Sequence, residues 1–162
     1  MYRCIEQIQQ IVTEPSAIAP TTTYTAPLCN GDNNGSITAN ATGGTAPYQY
    51  SLDNATWQTA NTFNGLTAGT YTIYVQDDNG CIEQIQQIVT EPAVLIASIS
   101  TYNNVSCNGD NDGSITANAT GGTAPYQYSL DNATWQTANT FNGLTAGTYT
   151  IYVQDDNGCI DV

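Results

Sequence analysis

Residues 29–81 and 107–159 are one 53-residue text written twice, differing only where Asn34 stands against Asp112, with the two copies starting 78 residues apart. A repeat of that length is a small domain rather than one coil of a solenoid. Near-identity means that both copies meet the same physical demands, so a specialised site confined to one of them is not expected. A second repetition is cut differently. The twelve residues CIEQIQQIVTEP follow the first copy at 81–92 and also stand at 4–15, whereas the second copy runs only to CIDV. The domains expected are an orphan last strand at 1–15, a complete unit over 16–92, and a second unit over 93–162 that lacks its own last strand.

Within a copy, short alternating runs separated by Gly, Asn, Asp and Pro read as antiparallel strands. Lettered by position, B covers 36–41 (SITANA), C 48–53 (YQYSLD), C′ 56–60 (TWQTA), E 62–66 (TFNGL) and F 70–77 (TYTIYVQD). Strand A comes from the less regular linker, near 21–26 in the first unit and 94–100 in the second. The Asn-Gly pair at 79–80 supplies the positive φ of a tight F–G hairpin. For G, at 82–90, Ile82, Ile85 and Ile88 recur every third residue among Glu and Gln, which locally favours a short helix. A strand is expected instead, because F needs a partner beyond the hairpin, and a β-bulge would reconcile the spacing. Ile37, Tyr50, Leu52, Phe63, Leu66, Tyr71, Ile73 and Val75 then form a two-layer core. LTAGTY at 66–71 reads as a tyrosine corner, with the Tyr71 hydroxyl tied back to the E–F backbone.

Composition removes whole classes of function. The chain carries 14 acidic side chains, one Arg, no Lys and no His, for a formal charge of −13. Nothing cationic is available to displace phosphate counterions or to meet an anionic bilayer, so neither nucleic acid nor membrane insertion is expected. Ser-His-Asp and Cys-His sites, Schiff-base chemistry and His-ligated metals all lack their residues. Adjacent pairs such as Asp77 and Asp78 point apart in extended chain and make a poor acid–base couple. No enzyme is expected.

The segments CNGDNNGSITANATGGTAPYQYSL, GLTAGTY and VQDDNGC, in that order in both copies, resemble the SprB repeat, found in tandem in giant surface adhesins of gliding bacteria. The resemblance implies an all-β chain of immunoglobulin-like or PKD-like seven-strand β-sandwiches arranged head to tail. It also implies export to the cell surface and a non-catalytic role in an extracellular filament or stalk serving adhesion or gliding motility. The orphan segment then has two readings. It belongs to a slice of a longer tandem polypeptide, which needs no new assembly step, or it completes the last unit of an identical chain by donor-strand addition. Both give a linear fibre whose partners are neighbouring repeats or identical chains.

Cysteines recurring at fixed places in such a chain imply disulfides. Pairing within a unit would join Cys29 to Cys81 and Cys107 to Cys159. Strand parity points elsewhere: F runs in the direction of B, so the start of B and the end of F lie at opposite ends of the sandwich, roughly 20 Å apart. Bridged Cα atoms sit about 5.5 Å apart. Stacked head to tail, Cys29 would face Cys159, leaving Cys4, Cys81 and Cys107 for neighbouring units. Both schemes remain open at this point.

The loop NGDNDG at 108–113 alternates oxygen side chains and has Gly sixth, like the opening of a calcium loop, yet it lacks the closing Glu. Turn chemistry alone explains it equally well. Stacking would bring Asp155 and Asp156 towards Asp32, with Glu91 nearby, and Asp77, Asp78, Asp110 and Asp112 hold the equivalent places. Calcium there would offset the repulsion; no other cofactor is expected. Trp57 and Trp135 offer an indole either to a surface glycan or substratum, or to cover the edge of the sandwich.

Overall fold

The computed structural model describes residues 7–162. The first unit is built from β1 (Ala19–Thr25), β2 (Gly35–Thr42), β3 (Gln49–Ser51), β4 (Thr62–Leu66), β5 (Gly69–Gln76) and β6 (Ile82–Val89). One sheet has the order β1-β2-β4 and the facing sheet β3-β5-β6, with every neighbouring pair antiparallel. These are A, B and E against C, F and G, an immunoglobulin-like sandwich. The second unit repeats the plan with β7 (Ile96–Asn103), β8 (Gly113–Thr120), β9 (Gln127–Ser129), β10 (Thr140–Leu144), β11 (Tyr152–Gln154) and β12 (Ile160–Asp161).

The C′ position holds a single bridge, Tyr50 to Gln58, rather than a run over 56–60. The cause is local. The Asp53 carboxylate accepts hydrogen bonds from the backbone N–H groups of Ala55 and Thr56 and from the hydroxyls of Ser51 and Thr56. Gln58 Nε2 donates to the carbonyls of Ala60 and Thr62. Side-chain bonds of this kind take backbone groups that a ladder would need.

The segment at 82–89 is a strand. It pairs with β5 over eight consecutive rungs, from Ile82 opposite Gln76 to Val89 opposite Gly69, with no register shift, so the expected bulge is absent. A period of two resolves the spacing puzzle. Ile85, Gln87 and Val89 turn inward to partly or fully covered positions, while Ile82 and Ile88 stay exposed. Tertiary pairing overrides the helical preference of the Gln-rich text.

The core gathers Ile37, Tyr50, Leu66, Ile73 and Val75, with Leu52, Phe63 and Tyr71 packed at its margin, as the alternation of the strands requires. Ala39, Val89, Ile18, Tyr48 and Ile85 join them. The Tyr71 hydroxyl donates to the Thr67 carbonyl at 3.0 Å, and Tyr149 does the same to Thr145 at 2.9 Å. Tyr71→Phe is expected to cost about 1 kcal/mol, one net hydrogen bond. Calorimetry checks this, and an unchanged Tm would show that the tie contributes nothing. At the end of β2 the chain turns through Gly43, whose φ is +74° and where a Cβ would meet the Ala17 carbonyl oxygen at 2.0 Å. The entry to β1 lies against this turn, fixed by a 2.7 Å bond from Gly44 N to Ser16 O.

Candidate functional site: the junction between the units

Cys29 and Cys159 form a disulfide across the junction, with Cα atoms 5.7 Å apart and a sequence separation of 130. Parity produces this pairing. Thr45 N donates to Asp77 Oδ2 and Asp78 N to Thr45 O, so the ends of β2 and β5 lie together. Cys29, before β2, is therefore remote from Cys81, just beyond β5, and the pairings within a unit, Cys29 with Cys81 and Cys107 with Cys159, do not form. Among the described residues Cys81 and Cys107 are exposed and unbridged; Cys4 lies outside the described residues.

Polar contacts reinforce the staple. Asn157 Nδ2 donates to the Leu28 carbonyl at 2.9 Å. On the other side of the joint, Glu91 accepts from Asn30 Nδ2 at 2.9 Å and from Gly31 N at 2.8 Å, while Asn30 also donates to Pro92 O at 3.0 Å. The chain leaving β6 is thereby held against the β1–β2 loop before it enters the second unit. A two-point attachment, covalent on one side and hydrogen-bonded on the other, resists bending. Asn157, Leu28 and Asn30 were not singled out from sequence. Asn30 lies in the β1–β2 loop and Asn157 in the β11–β12 turn, where Asn reads first as turn chemistry.

The acidic residues do something other than converge. Asp77 turns into its own loop and accepts from the N–H groups of Asn79, Cys81 and Thr45 at 3.0, 2.8 and 2.9 Å. Asp155 repeats this with Asn157, Cys159 and Thr123 at 3.0, 2.9 and 2.8 Å. Asp32 takes Asn34 Nδ2, and Asp112 takes the Ser106 hydroxyl and N–H. Asp78, Asp110 and Asp156 are exposed. Among the described residues no three carboxylates or thiols come together as a metal site requires. Among the described residues Asp155, Asp156 and Asp32 do not meet with Glu91 around a shared point; the Asp155 carboxylate is taken up by two N–H groups of its own turn and by Thr123 N of the loop between β8 and β9.

These bonds set the acid response. Burial opposes ionisation of Asp77, but its three N–H donors outweigh that and hold its carboxyl below the usual range. The N–H groups of Thr56 and Ala55, then the Ser51 and Thr56 hydroxyls, hold Asp53 far below it, and Asp131 is held likewise by Thr134, Ala133 and Ser129. The Ser106 hydroxyl and N–H lower Asp112. A depressed folded pKa gives stability that is complete above the unfolded value of 3.8 and lost as pH falls through the folded value. Tm is therefore expected to be level above about pH 5 and to fall between about pH 4 and pH 2. A melting curve unchanged at the acid end would contradict this.

Trp57 and Trp135 are half-buried beside the bridges at Gln58 and Gln136. Neither stands free of the sandwich edge.

The SprB repeat model matches residues 21–56 and 99–134. No curated protein matches the chain. Among solved structures, the three N-terminal domains of the bacteriophage RB49 Highly Immunogenic Outer Capsid protein (Hoc) are 19% identical, with a TM-score of 0.52 over 90% of this chain and 57% of that one. The chain thus spans little more than half of that three-domain fragment, and the likeness is one of fold. The fibronectin(III)-like modules of Clostridium thermocellum CbhA match at 12% identity and a TM-score of 0.37, over 88% of this chain and 90% of theirs. A Dscam structure matches at 16% and 0.31, over 88% and 44%. Each family match runs from the first strand of a unit to the carboxylate-capped turn after its third, and these two segments are SprB repeats.

Proposed function

We propose that the chain is a non-catalytic repeat of an extracellular surface filament, whose units stack end over end into a stiff rod that serves adhesion or gliding. The observation that carries this reading is the Cys29–Cys159 staple, which binds the loop end of one sandwich to the opposite end of the next. A disulfide of this kind persists in an oxidising, extracellular compartment. Repetition supplies the rest: identical faces recur along the rod, and weak contacts made by each copy add as avidity.

Two measurements test it. Small-angle scattering of the monomer should give a longest dimension of roughly 70–80 Å, two sandwiches in line. A side-by-side pair would be clearly shorter and would remove the rod. Immunogold labelling of intact producing cells should decorate extended material outside the envelope, whereas label confined to the cell interior would remove the surface role.

A further inference from the structure

Asn stands directly before Gly at positions 30, 34, 64, 79, 108, 142 and 157. Two of these, Asn30 and Asn157, are also the side chains that tie the two units together. Asn30 Nδ2 donates to Glu91 Oε1 and to the Pro92 carbonyl, and Asn157 Nδ2 donates to the Leu28 carbonyl and to Thr123 Oγ1 at 3.0 Å. The polar side of the joint thus depends on carboxamides acting as donors. Each stands in the dipeptide least able to keep its amide, because Gly has no side chain to hinder its own N and its backbone reaches conformations closed to other residues.

We infer that Asn30 and Asn157 are deamidation sites at which the joint irreversibly loses its hydrogen bonds, and that the closed joint itself delays the reaction. At Asn30, Gly31 N gives its proton to hydroxide and attacks the Asn30 Cγ. The N–Cγ bond forms, the Cγ–Nδ2 bond breaks, and ammonia leaves with a proton taken from water. Water then opens the cyclic imide at one carbonyl or the other. The product is Asp, or isoaspartate with the main chain routed through Cγ. One water is consumed and one ammonia released, and nothing is oxidised or reduced.

Either product at 30 sets a carboxylate against Glu91 Oε1, where like charges repel, and against the Pro92 carbonyl. The isoaspartyl form also inserts a main-chain carbon before Gly31, whose N–H is held by Glu91 Oε2 at 2.8 Å. At 157 a carboxylate takes the place of the donor to Leu28 O, and the lengthened chain displaces Cys159 N from Asp155 Oδ1. The Cys29–Cys159 bridge survives, so the units stay linked while the angle between them is freed.

The closed joint withholds both reacting groups. Gly31 N–H is donated to a carboxylate, which opposes loss of its proton, and the Asn30 amide is fixed by two bonds of its own. Reaction therefore waits for local opening. Asn79 supplies the comparison for Asn157. It occupies the same DDNGC turn with its amide on Thr45 Oγ1 at 2.9 Å, but without a bond to the other unit. The inference goes beyond the rod reading and rests on the geometry of the joint alone.

The test holds the full chain, disulfide intact, in warm, mildly alkaline buffer while peptide mass mapping follows each Asn-Gly pair. Asn157 should convert more slowly than Asn79. Glu91→Ala, a change in the segment between the sandwiches, should speed conversion of Asn30 about tenfold, the factor for an opening cost of ~1.4 kcal/mol. Asn64, within β4, should keep its rate. The consequence is read separately by hydrogen exchange. Asn30→Asp should cut the protection of the Gly31 amide about tenfold. Asn30→Asp/Glu91→Gln should restore it, since the Gln amide donates to the new carboxylate while its oxygen accepts from Gly31. A rate at Asn30 that Glu91→Ala leaves unchanged, or Asn157 converting as fast as Asn79, overturns the shielding. A Gly31 amide as well protected in Asn30→Asp as in the parent chain overturns the loss of the joint.

Discussion

Urea unfolding of the chain is expected to run in two steps, with the second unit unfolding first, since β12 pairs with β11 over two rungs whereas β6 pairs with β5 over eight. The two sandwiches share all but one residue of their copied segments, so the gap between the steps measures what β6 and the differing first strands, β1 and β7, supply. That strand adds a ladder along the whole of β5 and buries Val89 completely. Burial of Val89 and part of Ile85 alone is worth about 3 kcal/mol. Paired substitutions assign the steps. Ile73→Ala opens a cavity between two closed sheets and should cost about 3–4 kcal/mol in the later transition. Ile151→Ala, at the same place in the fold but lining a cavity of about 350 Å³ with Ala97, Ile99 and Tyr149, should cost roughly half as much and move only the earlier one, because the packing around it is already incomplete. Equal costs at the two positions, or a single transition, would mean that the last strand is an accessory and not part of the core.

The fold was largely legible because strand structure here rests on alternation that a repeat displays twice. Ile37, Ile73 and Val75 could be placed inward from parity alone, and LTAGTY marked a corner that the Tyr71 bond completes. Strand 82–89 was harder, since its isoleucines follow a spacing that belongs to neither face. Only pairing with β5 shows that Ile85 and Val89 count and that Ile82 and Ile88 do not. The C′ run failed for the opposite reason: Asp53 and Gln58 bond to backbone within a few residues, and composition does not reveal which side chain will capture which N–H. The same blindness misdirected the acidic residues. Asp77 and Asp155 lie near the sandwich ends as expected, yet one oxygen of each faces its own turn and the other the neighbouring loop at Thr45 or Thr123, and orientation is not a property of spacing. Parity favoured the cross-junction cysteine pair without deciding it, and the structure selects it, since strand counting does not depend on where any side chain points.

Breaking that disulfide should act on one unit far more than on the other. With Cys29 bridged to Cys159, unfolding the second unit leaves a chain held at both ends. One end is the disulfide, and the other is Glu91, still bonded to Asn30 and Gly31 of the folded first unit. The closed loop contains roughly 70 residues, for which chain entropy predicts a stabilisation of about 4 kcal/mol. The first unit unfolds after the second, and its unfolding only widens a loop that is already closed, from roughly 70 residues to roughly 130, which changes the chain-entropy contribution by about 0.6 kcal/mol. Reduction, or Cys29→Ser with Cys159→Ser, is therefore expected to lower the first melting transition by more than 10 °C while the second moves by a few degrees at most. Differential scanning calorimetry with and without a phosphine reductant reads both at once. Equal shifts would show that the bridge acts by holding the two sandwiches as one cooperative body, and no shift would show that the hydrogen bonds of Glu91 and Asn157 suffice to set the joint. Scattering under the same reduced conditions separates those two cases, since only the second retains the full length of the rod.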